Sequence, residues 1–228
     1  MTSFTLLHGG TLVGSNGVHP CDILLCDGVI QEIAPTIHTT KEVHSISADG
    51  CAIFPGLIDC HVHCREPGFT HKATLVSEMA AAHRGGIATI CDMPNTFPTT
   101  TSIAALEDKV RRIQNIHHAD IRCFFGITLE EHLLELEELW TDPQHAKLKE
   151  YCSGVKVYFD HSTGNQGVDA HLLPEIFSLC AKHSITLIGH CEDAAMNKES
   201  NAKIHDPSIE SHSFRRPARS EITAIEHA

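Results

Sequence analysis

Asp59, His61, His63 and Arg65 occupy alternate positions of the run Asp59-Cys60-His61-Val62-His63-Cys64-Arg65. Side chains alternate faces along a strand, so on a strand these four share one face, and Ile58, Cys60, Val62 and Cys64 share the other. Two imidazoles at i and i+2 can grip one metal ion, each through a neutral ring nitrogen. With 19 histidines in the chain, a chance pair competes with that reading. Pro55-Gly56 before the pair, and Asp59 and Arg65 around it, argue against chance. A second row lies further on, where Val155, Val157 and Phe159 would face one way and Lys156, Tyr158 and Asp160 the other. Burial disfavours an ammonium, and a neutral amine can take up CO2 as a carbamate that offers oxygen ligands. On the residues alone, a Lys with its head in water is the plainer assignment for Lys156. His190 shares a strand face with Ile188 and Glu192, and by itself reads as a core histidine.

Such residues need strands to carry them and helices to cover those strands. AIFPGLIDCHVH reads as a strand, and LVSEMAAAHRGG as a helix stopped at Gly85. IATICDMPN is the next strand. Thr100 or Thr101 can cap a helix whose apolar stripe is Ile103, Leu106, Val110 and Ile113. IRCFFGIT is a strand, TLEEHLLELEEL a helix with an acidic face, and GVKVYFD a strand. HLLPEIFSLCAKH is a helix, ITLIGHCED a strand and ARSEITAIEHA a helix. Gly85-Gly86 and Thr163-Gly164-Asn165 read as turns. This alternation implies a parallel sheet covered by helices, as an open five-stranded sheet or as part of an eight-stranded barrel. The first ~50 residues differ: GGTLVG, DILLCDGVIQEI and EVHSISA are short β segments, and Gly28 suits a tight hairpin turn. The expected division is a small β domain over 1–52 and the barrel portion over 53–228.

Composition narrows the function classes. Lys plus Arg number 17 and Asp plus Glu 29, a formal net charge of −12, which disfavours nucleic acid or an anionic membrane surface as partner. No apolar run approaches the ~20 residues that span a bilayer. MTSFTLLHGGTLVG lacks the basic and apolar regions of a secretory leader. The ten cysteines include no CxxC pair, and several lie in apolar segments, so a reduced, cytoplasmic protein is expected.

FPGLIDCHVHCREPG followed by AAAHRGGIATICDMPNT closely resembles the dihydroorotase family of the amidohydrolase superfamily. The resemblance continues through GVKVYFDHSTGN and LIGHCED to RRPARSE, and so covers nearly the whole chain. It implies an α/β fold: a (β/α)8 TIM-type barrel, incomplete here at about five β/α units, beside a small N-terminal β domain. It assigns His61 and His63 to the more buried of two metals, Lys156 to a carboxylated, metal-bridging role, and His190 to the second metal. Asp160 is the alternative bridge. Arg65 and Asn95 match the pair that holds the substrate carboxylate, a guanidinium fork plus a neutral amide donor. The Arg-Glu-Pro-Gly and Met-Pro-Asn-Thr runs resemble dihydroorotases rather than allantoinase- or hydantoinase-like members.

The resemblance also implies another metal-binding His and a general-base Asp, and neither can be placed; the Asp is expected beyond Ala228. His205, His212 and His227 lie in the wrong context to substitute. The implied reaction interconverts N-carbamoyl-L-aspartate and L-dihydroorotate in pyrimidine biosynthesis, by hydroxide attack on a cyclic amide activated by two zinc ions. On this reading the chain by itself is expected to be inactive, and the longer enzyme a homodimer acting on a small molecule. The alternatives are a non-catalytic partner protein and allantoinase or dihydropyrimidinase activity.

Overall fold

The computed structural model describes residues 2–160, 166–206 and 208–228, so the expected turn at Thr163-Gly164-Asn165 lies outside the described residues. The chain divides into two compact units, Met1–Leu57 and Ile58–Ala228.

The first unit is a five-stranded sheet. Strand β1 (Phe4–Gly14) pairs antiparallel with β2 (Gly17–Cys26), and β2 with β3 (Val29–Ala34). On its other side β1 takes β4 (His44–Ser47) and β5 (Ala52–Ile53) in parallel. Asp27 and Gly28 both have positive φ, 49° and 82°, as a two-residue hairpin turn whose twist matches its strands demands. Cys21, Ile23, Leu24, Ile37 and Ala48 are buried here. Asp22 is buried with them because both carboxylate oxygens are used: Gly9 N–H donates to Oδ1 and Ile37 N–H to Oδ2, each at 2.9 Å. These two bonds hold the Asp22 carboxyl below its usual range.

In the second unit the strands follow one another across the sheet in sequence order: β6 (Leu57–Val62), β7 (Ile87–Asp92), β8 (Asp120–Gly126), β9 (Cys152–Tyr158) and β10 (Leu187–His190). β7 to β10 pair in parallel. Helices α1 (Leu75–Arg84), α2 (Ile103–Gln114), α3 (Glu131–Thr141), the single-turn α4 (Ala146–Lys149) and α5 (Leu173–His183) lie between them in the chain. After β10 come α6 (Ala194–Lys203), the short α7 (His212–Arg215) and α8 (Ala218–His227).

One large core joins sheet and helices. Ile90, Ile121, Cys123, Phe125, Val155 and Val157 meet Leu75 and Met79 of α1, Leu106 and Val110 of α2, Leu136 and Leu139 of α3, and Ile176 and Cys180 of α5. Burying each such Leu or Ile is worth about 1.5–3 kcal/mol. The intervening strand residues Cys91, Phe124 and Ile188 pack on the opposite face with Met93. Helices on one face with strands in sequence order are the arrangement of a barrel arc; a doubly wound sheet carries helices on both faces. The unit is therefore a parallel half-barrel.

Local details depart from expectation in three places. The N-cap of α2 is Ser102, whose hydroxyl accepts from Ala105 N–H, and not Thr100 or Thr101. Gly85 caps α1 at φ −86°, and it is Gly86, at φ +78°, that turns the chain away. The run from Ala52 to His63 is two strands broken at Phe54-Pro55-Gly56, and β6 ends at Val62.

Candidate functional site

The inner face of the half-barrel changes character along its strands. Cys91, Met93, Phe124 and Ile188 form an apolar layer, and beyond it, at the C-terminal ends of the strands, stand His61, His63, Lys156, Tyr158 and His190. This is the end at which barrel folds present chemistry. The His61 and His63 rings lie 5.4 Å apart, centroid to centroid. Tyr158 lies 5.9 Å from His190 by the same measure, and the Lys156 Nζ is 4.8 Å from the centre of the Tyr158 ring.

Lys156 is only 2% exposed, so the solvated assignment does not hold. Val155 and Val157 turn into the helix-side core and leave Lys156 on the inner face. Its ammonium has no carboxylate partner among the described residues, and burial lowers its pKa. Burial likewise lowers His61, helped by the nearby Lys156, His63 and His190. His190 is lowered by burial, then by Lys156 and Arg216. These groups feel one another and are biased towards their neutral, ligating forms.

His63 is oriented by Asn95. Its Nδ1 lies 2.7 Å from Asn95 Oδ1, an atom that only accepts, so Nδ1 carries the proton and the Nε2 lone pair is left to bind. Asn95, 7% exposed, keeps its amide nitrogen as a donor. Arg65 does not continue the strand alternation expected of it. It sits past the end of β6 with φ +61°, a conformation uncommon for a residue with a side chain. Glu66, the obvious salt-bridge partner for Arg65, is engaged elsewhere: it accepts from Leu75 N–H and lies 3.5 Å from Arg112. Arg65 itself makes no ion pair among the described residues. The Arg65 loop and the Asn95 loop are tied together by Phe97 N–H donating to Pro67 O, with Gly68 packed against Phe97.

Asp160 is turned to other partners. Its Oδ2 accepts from Asn197 Nδ2 at 2.8 Å and lies 3.7 Å from Arg216, which also pairs with Glu192. Among the described residues the one set of three His, Cys, Asp or Glu ligand atoms drawn within 4.8 Å is Glu138, Asp142 and His145. It lies where α3 ends, and contains none of the expected ligands. His61, His63 and His190 do not form such a set.

Two features escaped sequence reasoning. Asp92 and Lys109 are both fully buried and joined at 2.7 Å, and Asp92 Oδ1 also accepts from Cys64 N–H at 2.8 Å. This pair pins the backbone just after His63 to α2. The signal was present as two misfits: a carboxylate on the helix-facing side of a strand, and a Lys inside the apolar stripe of α2. The second feature is the Tyr158 hydroxyl. It is buried without a partner among the described residues, and burial pushes it up to about 12, with Arg65 pulling the other way.

Residues 50–210 match the family described as dihydro-orotase-like. The chain belongs to the dihydroorotase-like family. It is 35% identical over 184 residues to the dihydroorotase of Bacillus cytotoxicus, covering 81% of this chain and 39% of that protein. It is 35% identical over 172 residues to that of Bacillus cereus (strain B4264), covering 75% of this chain and 38% of the relative. Among solved structures, the L-hydantoinase (dihydropyrimidinase) from Arthrobacter aurescens superposes with a TM-score of 0.84 at 25% identity, over 100% of this chain and 49% of that one. A D-hydantoinase superposes at 0.83 and 23% identity, over 100% of this chain and 48% of its own. The chain thus spans about two-fifths of the dihydroorotases it matches and half of the hydantoinases, which fits the half-barrel seen here. No described helix of this family member is long and apolar enough to cross a membrane.

Proposed function

We propose that this chain supplies the metal-holding and carboxylate-gripping part of a dihydroorotase, which interconverts N-carbamoyl-L-aspartate and L-dihydroorotate in pyrimidine biosynthesis. The observation that carries the reading is Arg65. Arg65 stands two residues after His63, in a loop tied to that of Asn95 by the Phe97–Pro67 hydrogen bond, and has no carboxylate partner of its own among the described residues. A substrate carboxylate is the group such a fork takes up.

His61 and His63 would hold one divalent cation, His190 a second, and Lys156, as a carbamate, would bridge them. The donor set fits: neutral imidazoles, one fixed by Asn95, and a buried amine with no acid beside it. Bound there, divalent cations, zinc on this reading, polarise an amide carbonyl and acidify a water. Asp160, held by Asn197 and Arg216, is the weaker bridge. Arg65 and the Asn95 amide fix the ring by its carboxylate and so set which carbonyl faces the cations. No proton transfer is assigned to a residue of this chain. The same reading makes the substrate small, the compartment cytoplasmic and the assembly a homodimer.

Titrating L-dihydroorotate, allantoin and hydantoin into the zinc-loaded chain, with turnover followed in parallel, tests the reading. Tightest binding of dihydroorotate is expected. Equal or tighter binding of allantoin or hydantoin would overturn it in favour of those activities; absence of turnover is expected of this chain by itself.

A further inference from the structure

We infer that Tyr158 contacts substrate: its phenolic hydroxyl donates to the substrate carboxylate as a third member of the grip formed by Arg65 and Asn95. The inference rests on the dihydroorotase reading and adds a residue to its binding site. Tyr158 lies two positions after Lys156 on β9, so both project from the inner face. It is 5% exposed, and its hydroxyl has no hydrogen-bond partner among the described residues. A buried polar group without a partner is a standing penalty, tolerated where a ligand relieves it.

The neighbours decide what the ligand must offer. Arg65 is a donor only, and the oxygens of a Lys156 carbamate would be committed to the cations. Asn95 Oδ1 accepts from His63, which leaves its N–H groups to donate. Asp92 has its carboxylate committed to Cys64 N–H and Lys109. Tyr158, Arg65 and Asn95 therefore each have a donor to offer. A carboxylate offers two charged oxygens to such donors, and a ring lacking it offers only neutral carbonyls. A buried hydroxyl also discriminates in a way an apolar ring could not, because binding a ligand that offers it no acceptor leaves the donor unpaired.

The test uses calorimetric titration of the zinc-loaded 228-residue chain and its Tyr158→Phe variant with L-dihydroorotate and with 5,6-dihydrouracil, the same ring without the carboxylate. Phe keeps the ring over Lys156 and removes only the oxygen. The variant should bind dihydroorotate about tenfold more weakly, bind dihydrouracil unchanged, and melt at the same or a higher temperature. Equal dihydroorotate affinity in both proteins would overturn the inference while leaving the dihydroorotase reading intact, and so would equal losses for both ligands. Failure of the unaltered chain to prefer dihydroorotate would sink the reading itself, and the inference with it. A second measurement needs no variant. The chain has two tyrosines, so carbon-13 labelling at the phenolic carbon gives two resonances. One should move with dihydroorotate and stay in place with dihydrouracil; no movement with either contradicts the proposal.

Discussion

His63 donates its Nδ1 proton to Asn95 Oδ1 across 2.7 Å, and that bond fixes which ring nitrogen of His63 faces the inner side of the half-barrel. Asn95 thereby serves two ends: its oxygen sets the imidazole, and its amide nitrogen is left for a ligand. Removing it by Asn95→Ala should weaken zinc binding about 10- to 100-fold, as losses of ligand-orienting groups do. Competition against a chromophoric chelator measures this, and an unchanged affinity would show that His63 is oriented by something else.

The buried Asp92–Lys109 pair should be worth far more than a surface bridge when one partner is removed. Burial pulls the Lys109 pKa down, but its buried neighbours, Asp92 foremost, raise it on balance. Lys109→Met leaves a carboxylate with one backbone donor in an apolar core, and is expected to destabilise the second unit by about 3–5 kcal/mol. Adding Asp92→Asn should recover most of that loss, since an amide oxygen still accepts from Cys64 N–H. Urea melts of the single and double variants check both statements; a single variant that melts like the unaltered chain contradicts them.

Gly68 is placed where a side chain cannot go. Its φ is +92°, and a Cβ would come within 2.4 Å of the Phe97 carbonyl oxygen. Gly68→Ala must push the Arg65 loop off the Asn95 loop. A loss of roughly 1–3 kcal/mol in stability is expected, with weaker binding of carboxylate ligands. Melting and dihydroorotate titration together would expose an error: full retention of both means the loops tolerate separation.

In the first unit, acid sensitivity should trace to Asp22. Its folded pKa lies below the ordinary value of 3.8, so the stability it adds is present above that value and is lost as pH falls through the depressed one. Asp22→Asn turns an N–H towards one of the two backbone donors and should destabilise the unit at neutral pH. The gap between the two proteins should narrow between about pH 5 and pH 2, as the native carboxylate takes up its proton. Thermal melts across that range decide it; a gap that stays constant or widens on acidification contradicts the assignment.

The sequence made the scaffold legible because its signals were local. Alternation placed Val155 and Val157 against the helices and Lys156 opposite them, and Asp27-Gly28 marked its hairpin. It was less informative where long-range packing decides. Whether Lys156 met water or a buried inner face depended on four other strands. The alternation argument failed at Arg65 because β6 stops at Val62 and the chain turns through a left-handed residue, which no spacing announces. The Asp92–Lys109 brace needed two misplaced charges, 17 residues apart, to be read as one feature. Tyr158 was placed on the correct face, but its missing hydrogen-bond partner is visible only once every neighbour is in place.

The most direct test is zinc content after gel filtration of the chain loaded in the presence of bicarbonate. Three proteins should be compared: the unaltered chain, His61→Ala/His63→Ala, and Lys156→Met. The account predicts zinc retained by the first, lost by the second and reduced in the third, with all three folded by circular dichroism. Zinc absent from a folded unaltered chain, or held equally by all three, would contradict the claim that these side chains form a metal centre.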